Sequence, residues 1–398
     1  MVFSDNGGVT DLERILSVWR ELETEGTDYV LATVVAVQGP SYRKPGALMM
    51  LTADGRRIGT ISGGCLEAQV ASRAWWLTDN GPTIQRYSTA EDDGDRPYGS
   101  GCGGVIFLLL ERKMTAGPLL AALEQAFARR IPLAVATVLD GPQIGRRAFA
   151  GLTPDLPENI SDEEAPDRTG IDSLRELAER ALAGGESVEA EFAIGDSVAK
   201  VWAVYRSARP GLFIFGAGDD AQPLLRLGKE LGWFVSVADG RTQLVTRARF
   251  PQADALSTLS IHDLPRIALN GPVAVFSGLQ SDDAAIVMTH SFEQDSKVLA
   301  CLLAQSNPSA YVGVLGPQRR TRELLDEAAR LLNLPAGAIA KQAERWLAEL
   351  YAPTGLDLGA ESPETIALSI LAEIQKYRAS ATALPLRKVR AVHATVAD

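Results

Sequence analysis

GLFIFGAGDDA, residues 211–221, decides the fold of half the chain. An apolar run of strand type leads into Gly216, Gly218 and Ala221 in the spacing G-x-G-x-x-A, and a helical pattern follows. Gly216 suits the tight turn. Gly218 lets backbone approach a phosphate, which would rest on N–H groups at the helix start. The next apolar run, WFVSVAD, ends in Asp239, 21 residues after Gly218, where a carboxylate is placed to accept two hydrogen bonds from a ribose diol. Asp219 and Asp220 set negative charge beside the same seat and oppose an anion there. A doubly wound domain can also keep such a loop without a dinucleotide. Two readings therefore stay open, one with NAD as ligand and one without.

Downstream, AAIVMTH and AYVGVLG alternate with helical segments, the pattern of βαβ units and a parallel sheet. Ligands of such sheets sit at the carboxyl ends of the strands. His290, with Asp295 shortly after it, is expected at one such end, as an acid–base candidate. Gly316, Arg319 and Arg320 are expected at another, with Arg319 as a phosphate donor. Further on, Ser362 as N-cap, Pro363 and Glu364 open a helix expected to pack back on the N-terminal domain.

Upstream the character changes at Pro210. Leu12, Ile15, Leu16, Trp19 and Leu22 share one face of a helix opened by a Thr10–Glu13 capping box. YVLATVVAV, ALMMLT, RRIGTI, TIQRYS and GVIFLLLER read as strands, and a helix is expected from near Cys65 through AWWL. Helices near 116–130 and 171–183 and strands PLAVATVLD, SVEAEFAI and AKVWAVY follow. An acidic, proline-bearing stretch near 153–170 reads as a surface loop. The chain is therefore expected to be α/β overall. A mixed α+β domain spans 1–207, a Rossmann-like parallel-sheet domain 208–350, and a C-terminal helical segment 351–398.

Composition narrows the function classes. The 398 residues are 46% apolar and 22% charged, ordinary for a globular protein of two or three domains. No uninterrupted apolar run reaches the roughly 18 residues of a membrane span, and MVFSDNGGVTDLERIL lacks the pattern of a leader. A cytoplasmic protein is the expectation. The net charge of −11 disfavours nucleic acid or an anionic membrane as a general partner. Three cysteines and three scattered histidines argue against a disulfide framework and a dedicated zinc site.

Two of the cysteines lie in glycine turns. In ISGGCLE, Gly63 and Gly64 precede Cys65, expected in the first turn of a helix whose dipole favours the thiolate. GSGCGG places Cys102 before a strand, and Cys301, in VLACLLA, reads as core. GPSYRKPG adds Arg43 and Lys44 as cationic donors and Ser41 and Tyr42 as hydroxyls.

Taken in order, GPSYRKPGALMM, GTISGGCLEAQV, SGCGGVIFLLLE, FIFGAGDDAQPL, VTRARFP, MTHSFEQD, YVGVLGPQRR and APTGLDLGAESPETIALSILAEI resemble the XdhC/CoxI family of xanthine dehydrogenase accessory proteins. The resemblance runs from about residue 12 to 376 and is weak from about 115 to 205. It implies a protein that binds molybdenum cofactor and helps sulfurate and insert it into a molybdenum hydroxylase such as xanthine or carbon monoxide dehydrogenase. It implies a chaperone more than a catalyst. The cofactor's phosphate would then meet loop glycines and Arg43, its pterin edge Asp239 or another carboxylate, and its metal or sulfur Cys65 and Cys102. Metal would come only as the cofactor's molybdenum, with a cysteine desulfurase as sulfur source and a homodimer as the expected assembly. Two departures stand out: Asp219 where the family usually has His, and Gly316-Pro317-Gln318-Arg319 where it usually reads Gly-Ser-Arg-Arg. The competing readings are an NAD-dependent oxidoreductase and a scaffold between client enzyme and sulfur donor.

Overall fold

The structure is a computed structural model describing residues 10–64, 66–88, 104–152, 168–194, 197–260, 262, 264, 278–304 and 311–393. Cys65, Cys102 and nearly all of the acidic 153–170 stretch lie outside the described residues. The chain divides into two compact units, meeting in sequence at Arg209 and Pro210.

In the first unit, Thr10 and Glu13 form the capping box that starts α1 (Asp11–Glu25). An antiparallel sheet follows, built from β1 (Tyr29–Gln38), β2 (Leu48–Thr52), β3 (Arg57–Gly59), β4 (Thr83–Ser88) and β5 (Val105–Arg112) in the order β3-β2-β1-β5-β4. Helices α2 (Glu67–Leu77) and α3 (Lys113–Arg129) complete it. Tyr29 and Leu31 share a core with α1 and α3, whereas Val30, Ala32 and Val34 share one with α2. Both faces of β1 are thus covered, which is why YVLATVVAV is apolar without alternation.

A second antiparallel sheet holds β6 (Leu133–Val138), β7 (Arg147–Ala150), β8 (Val188–Ile194) and β9 (Ser197–Arg206) in the order β7-β6-β9-β8. Helix α4 (Arg168–Gly184) packs on it through Leu174, Leu177, Ala178 and Ala181. The two sheets are joined by an ion pair with no access to water, Glu111 being 0% and Arg147 1% exposed. Arg147 Nη1 donates to Glu111 Oε1 at 2.8 Å and to the carbonyls of Thr115 and Gly145.

The second unit is built on five parallel strands: β10 (Gly211–Phe215), β11 (Phe234–Asp239), β12 (Ala255–Thr258), β13 (Ala284–Val287) and β14 (Tyr311–Val314). Their order is β12-β11-β10-β13-β14, so the chain reverses direction across the sheet between β10 and β13. Helices α5 (Ala221–Glu230), α6 (Phe292–Leu303), α7 (Gln318–Leu331), α8 (Ile339–Glu349) and α9 (Pro363–Arg378) cover it. Phe213 and Phe215 face a core with residues of α6, α7 and α8; Leu212 and Ile214 face one with α5 and α9. This is the doubly wound, Rossmann-like arrangement.

Helix α9 belongs to the core of the second unit: its apolar face, Ala367, Ile370, Leu371 and Ile374, closes the core beneath β10 together with Leu224 and Leu225 of α5. Among the described residues no helix is long and apolar enough to cross a membrane.

Candidate functional site

The reversal between β10 and β13 opens a crevice at the carboxyl ends of these strands, where ligands of such sheets bind. Gly216 makes the turn possible. It has φ +141°, and a Cβ there would lie 2.4 Å from the Met288 carbonyl oxygen. The close approach is held by Met288 N–H donating to Phe215 O at 2.8 Å. After Gly218, helix α5 begins at the fully buried Ala221. Its N-cap is Asp220, whose side chain does not cap the helix but turns back over the loop. Oδ1 of Asp220 lies 2.5 Å from where a Cβ on Gly218 would be, and Oδ2 is 2.8 Å from His290 Nε2. Because a carboxylate only accepts, that ring nitrogen carries the proton.

His290 lies just beyond β13 with φ +62°, a left-handed conformation uncommon for a residue with a side chain. Ser291 then caps α6 by accepting from the Gln294 N–H. Behind the turn Asp295, fully buried, accepts from Thr289 N and Oγ1 at 3.1 and 2.6 Å and from Arg320 Nη2 at 2.7 Å.

Asp239 ends β11 as expected, but not as a ligand for a ribose diol. It is 0% exposed. Oδ1 accepts from Arg241 N and Nε at 2.8 and 3.0 Å, and Oδ2 from Ala217 N and Arg241 Nη2 at 2.8 and 2.7 Å. Four donors from the chain itself occupy the carboxylate, leaving none of its hydrogen-bonding capacity for a diol or a pterin edge. Burial alone would raise this carboxyl; the Arg241 guanidinium and the two backbone N–H groups outweigh it and hold it below the usual carboxylate range.

Arg319, expected as a phosphate donor, has a side chain 90% exposed, and its ionic contact is Glu323, one turn along α7, at 4.0 Å. Arg320 is the arginine that turns inward, to Asp295. Two further cations at the crevice were not singled out from the sequence. Arg241 sits on Asp239, and Arg249 donates to Asp219 at 2.8 Å. Only a position two residues past a strand end marked Arg241, and Arg249 stood out only as part of the stretch VTRARFP. Of the acidic pair that opposes an anion, Asp219 is thus neutralised by Arg249 and Asp220 is held by His290.

The glycine turn of the first unit has its own organiser. Glu67, at the start of α2 and 6% exposed, accepts through Oε1 from Ile61 N (3.2 Å) and Ser62 N (2.8 Å). Through Oε2 it accepts from Ser62 Oγ (2.7 Å) and Leu66 N (3.1 Å). Burial would raise the Glu67 carboxyl, but the Ser62 hydroxyl and the backbone N–H groups carry it below its ordinary value. The helix opens at Glu67, two residues after Cys65, with Leu66 as N-cap. Gly64 has φ +104° with open space at its Cβ position, and a Cβ on Gly63 would lie 3.7 Å from the Tyr42 ring. Tyr42 itself is 76% exposed.

Two of the expected cofactor-binding side chains nearby are already engaged. The Ser41 hydroxyl donates to Arg43 O at 2.8 Å, and Arg43 Nη2 reaches Asp11 Oδ2 at 2.5 Å and the Thr60 hydroxyl. Arg43 Nε is buried without a hydrogen-bond acceptor. Cys301 is a core residue, 2% exposed, its thiol pushed up to about 12 by burial. Among the described residues no group of three or more His, Cys, Asp or Glu is placed to hold a metal ion.

Comparison with known proteins agrees with both halves of this description. Residues 212–374 match the model described as the XdhC Rossmann domain, and residues 22–88 that of the XdhC and CoxI family. A protein of Bacillus subtilis (strain 168), named as a probable xanthine dehydrogenase subunit, is 32% identical over 353 residues, 88% of this chain and 93% of that protein. "Molybdenum cofactor insertion chaperone PaoD" of Escherichia coli (strain K12) is 34% identical over 129 residues, 30% of this chain and 37% of that protein. A crystal structure of a xanthine dehydrogenase from Bacillus halodurans superimposes with a TM-score of 0.63 at 26% identity, covering 94% of this chain and 96% of that one. With a relative of this identity along nearly the whole chain, and both of its units matched in order, the protein belongs to the XdhC/CoxI family.

Proposed function

We propose that this protein is an accessory protein that binds molybdenum cofactor as cargo and assists its sulfuration and insertion into a molybdenum hydroxylase of the xanthine or carbon monoxide dehydrogenase type. The observation that carries the reading is its similarity to a relative named as a molybdenum cofactor insertion chaperone, within a family shared along the chain. Cys65 and Cys102 supply soft sulfur, as transient ligands of the cargo's molybdenum or as stations for sulfur from a cysteine desulfurase. Glu67 shapes the turn that leads into Cys65, and Tyr42 offers an exposed aromatic face over Gly63 for a flat heterocycle. With Ser41 and Arg43 held internally, exposed Lys44 is the cation of that loop left for the cargo's phosphate.

The test is to express the chain in cells that make molybdenum cofactor, purify it without oxygen, and measure molybdenum and the fluorescent oxidised pterin. Near-stoichiometric amounts, lost in the Cys65→Ala Cys102→Ala variant, are the expected result. Absence of both from the native protein would overturn the proposal.

A further inference from the structure

We propose that Asp220 closes the glycine loop of the second unit to phosphate, so that the crevice rejects nucleotides despite its G-x-G-x-x-A spacing. The carboxylate fills the space that Gly218 leaves open, 2.5 Å from the missing Cβ, at the mouth of α5, where a phosphate oxygen would rest. It does not swing freely: Oδ2 is held at 2.8 Å by His290 Nε2, and the side chain is only 18% exposed. Three cations of the crevice are spent on carboxylates, Arg241 on Asp239, Arg249 on Asp219 and Arg320 on Asp295. Asp239, saturated by four donors, offers a ribose nothing. The loop thus keeps the geometry of a phosphate seat and carries its own anion in it. Any ligand of this crevice lacks phosphate at that seat. This selectivity does not depend on what the first unit carries.

The test is isothermal titration of the full-length native chain, Asp220→Asn and Asp219→Asn with ADP, NAD and inorganic pyrophosphate. The native chain is expected to show no binding below millimolar concentration. Asp220→Asn keeps the shape and removes the charge, and is expected to tighten pyrophosphate and ADP by about one to three orders of magnitude. NAD should gain no more than ADP, since Asp239 remains engaged. Asp219, 87% exposed and paired with Arg249, lies off the seat, so Asp219→Asn should gain little. Micromolar binding of ADP or pyrophosphate by the native chain would overturn the proposal, as would a folded Asp220→Asn protein with no gain. An equal gain in Asp219→Asn would also overturn it, by showing general charge rather than an occupied seat. If Asp220→Asn fails to fold by circular dichroism, Asp220→Ser decides by the same readings.

Discussion

Glu67→Gln removes one charge from the turn that leads into Cys65 while changing almost no volume. In the native turn each carboxylate oxygen accepts two hydrogen bonds. Glutamine keeps one accepting oxygen, whose two bonds lose their charge assistance, and turns an NH2 group toward the Leu66 N–H. Leu66 retains its weaker bond to Ser62 Oγ at 3.2 Å, so its amide is under-satisfied rather than bare. Two weakened bonds at about 1 kcal/mol each and one compromised buried donor at about 1 kcal/mol come to about 3 kcal/mol. That is roughly a hundredfold rise in local opening, read as faster hydrogen exchange at Ile61, Ser62 and Leu66. The pH dependence has a definite sign. The folded carboxyl is held below its ordinary value of 4.5, so its contribution is complete above that pH and is lost as pH falls through the lower, folded value. Exchange at these amides, corrected for intrinsic rates, should accelerate in native protein below about pH 4.5 and stay flat in Glu67→Gln. Unchanged exchange in the variant at neutral pH would refute the assignment of Glu67 as organiser of the turn.

Gly216→Ala forces a Cβ into the Met288 carbonyl at φ +141°, and should cost the second unit about 2–5 kcal/mol from combined strain and overpacking, seen as a lowered melting transition. Arg147→Met strands Glu111 in the interior and should cost about 3–5 kcal/mol in chemical denaturation. Adding Glu111→Leu should recover most of that loss, and failure to recover would show that the pair does more than neutralise itself. Cys301, buried and with its thiol pushed up to about 12, should resist iodoacetamide at pH 8 in the native protein and react once urea unfolds it.

The fold was legible wherever local chemistry and global packing agree. Thr10 with Glu13 and Ser362 with Pro363 announce helix starts, and both caps form. The run 211–221 announces a strand, a turn and a helix, and all three are there. What was not legible depended on partners distant in sequence or on helix phase. Asp239 was placed correctly at a strand end, but its role changed because Arg241 folds back on it and Ala217 donates from a neighbouring strand's loop. Arg319 and Arg320 differ by one position, about 100° around the axis of α7, enough to point one into water and the other at Asp295. Glu67 did leave a signal, an acid in the first turn after a glycine turn, where carboxylates meet free N–H groups.

The strand order of the first sheet also governs its assembly on the ribosome. β1, β2 and β3 pair with sequence neighbours and can form as soon as residue 59 has emerged. β4 cannot join them, because its partner is β5, which slots between β4 and β1. At roughly 5–20 residues per second, residues 89–112 take about one to five seconds to synthesise. Throughout that interval one edge of β1, apolar on both faces, stands unpaired and open to another nascent chain. Translation speed across this stretch therefore sets how long the protein is exposed to misassembly, and a fragment cut after residue 88 would hold that exposed edge permanently.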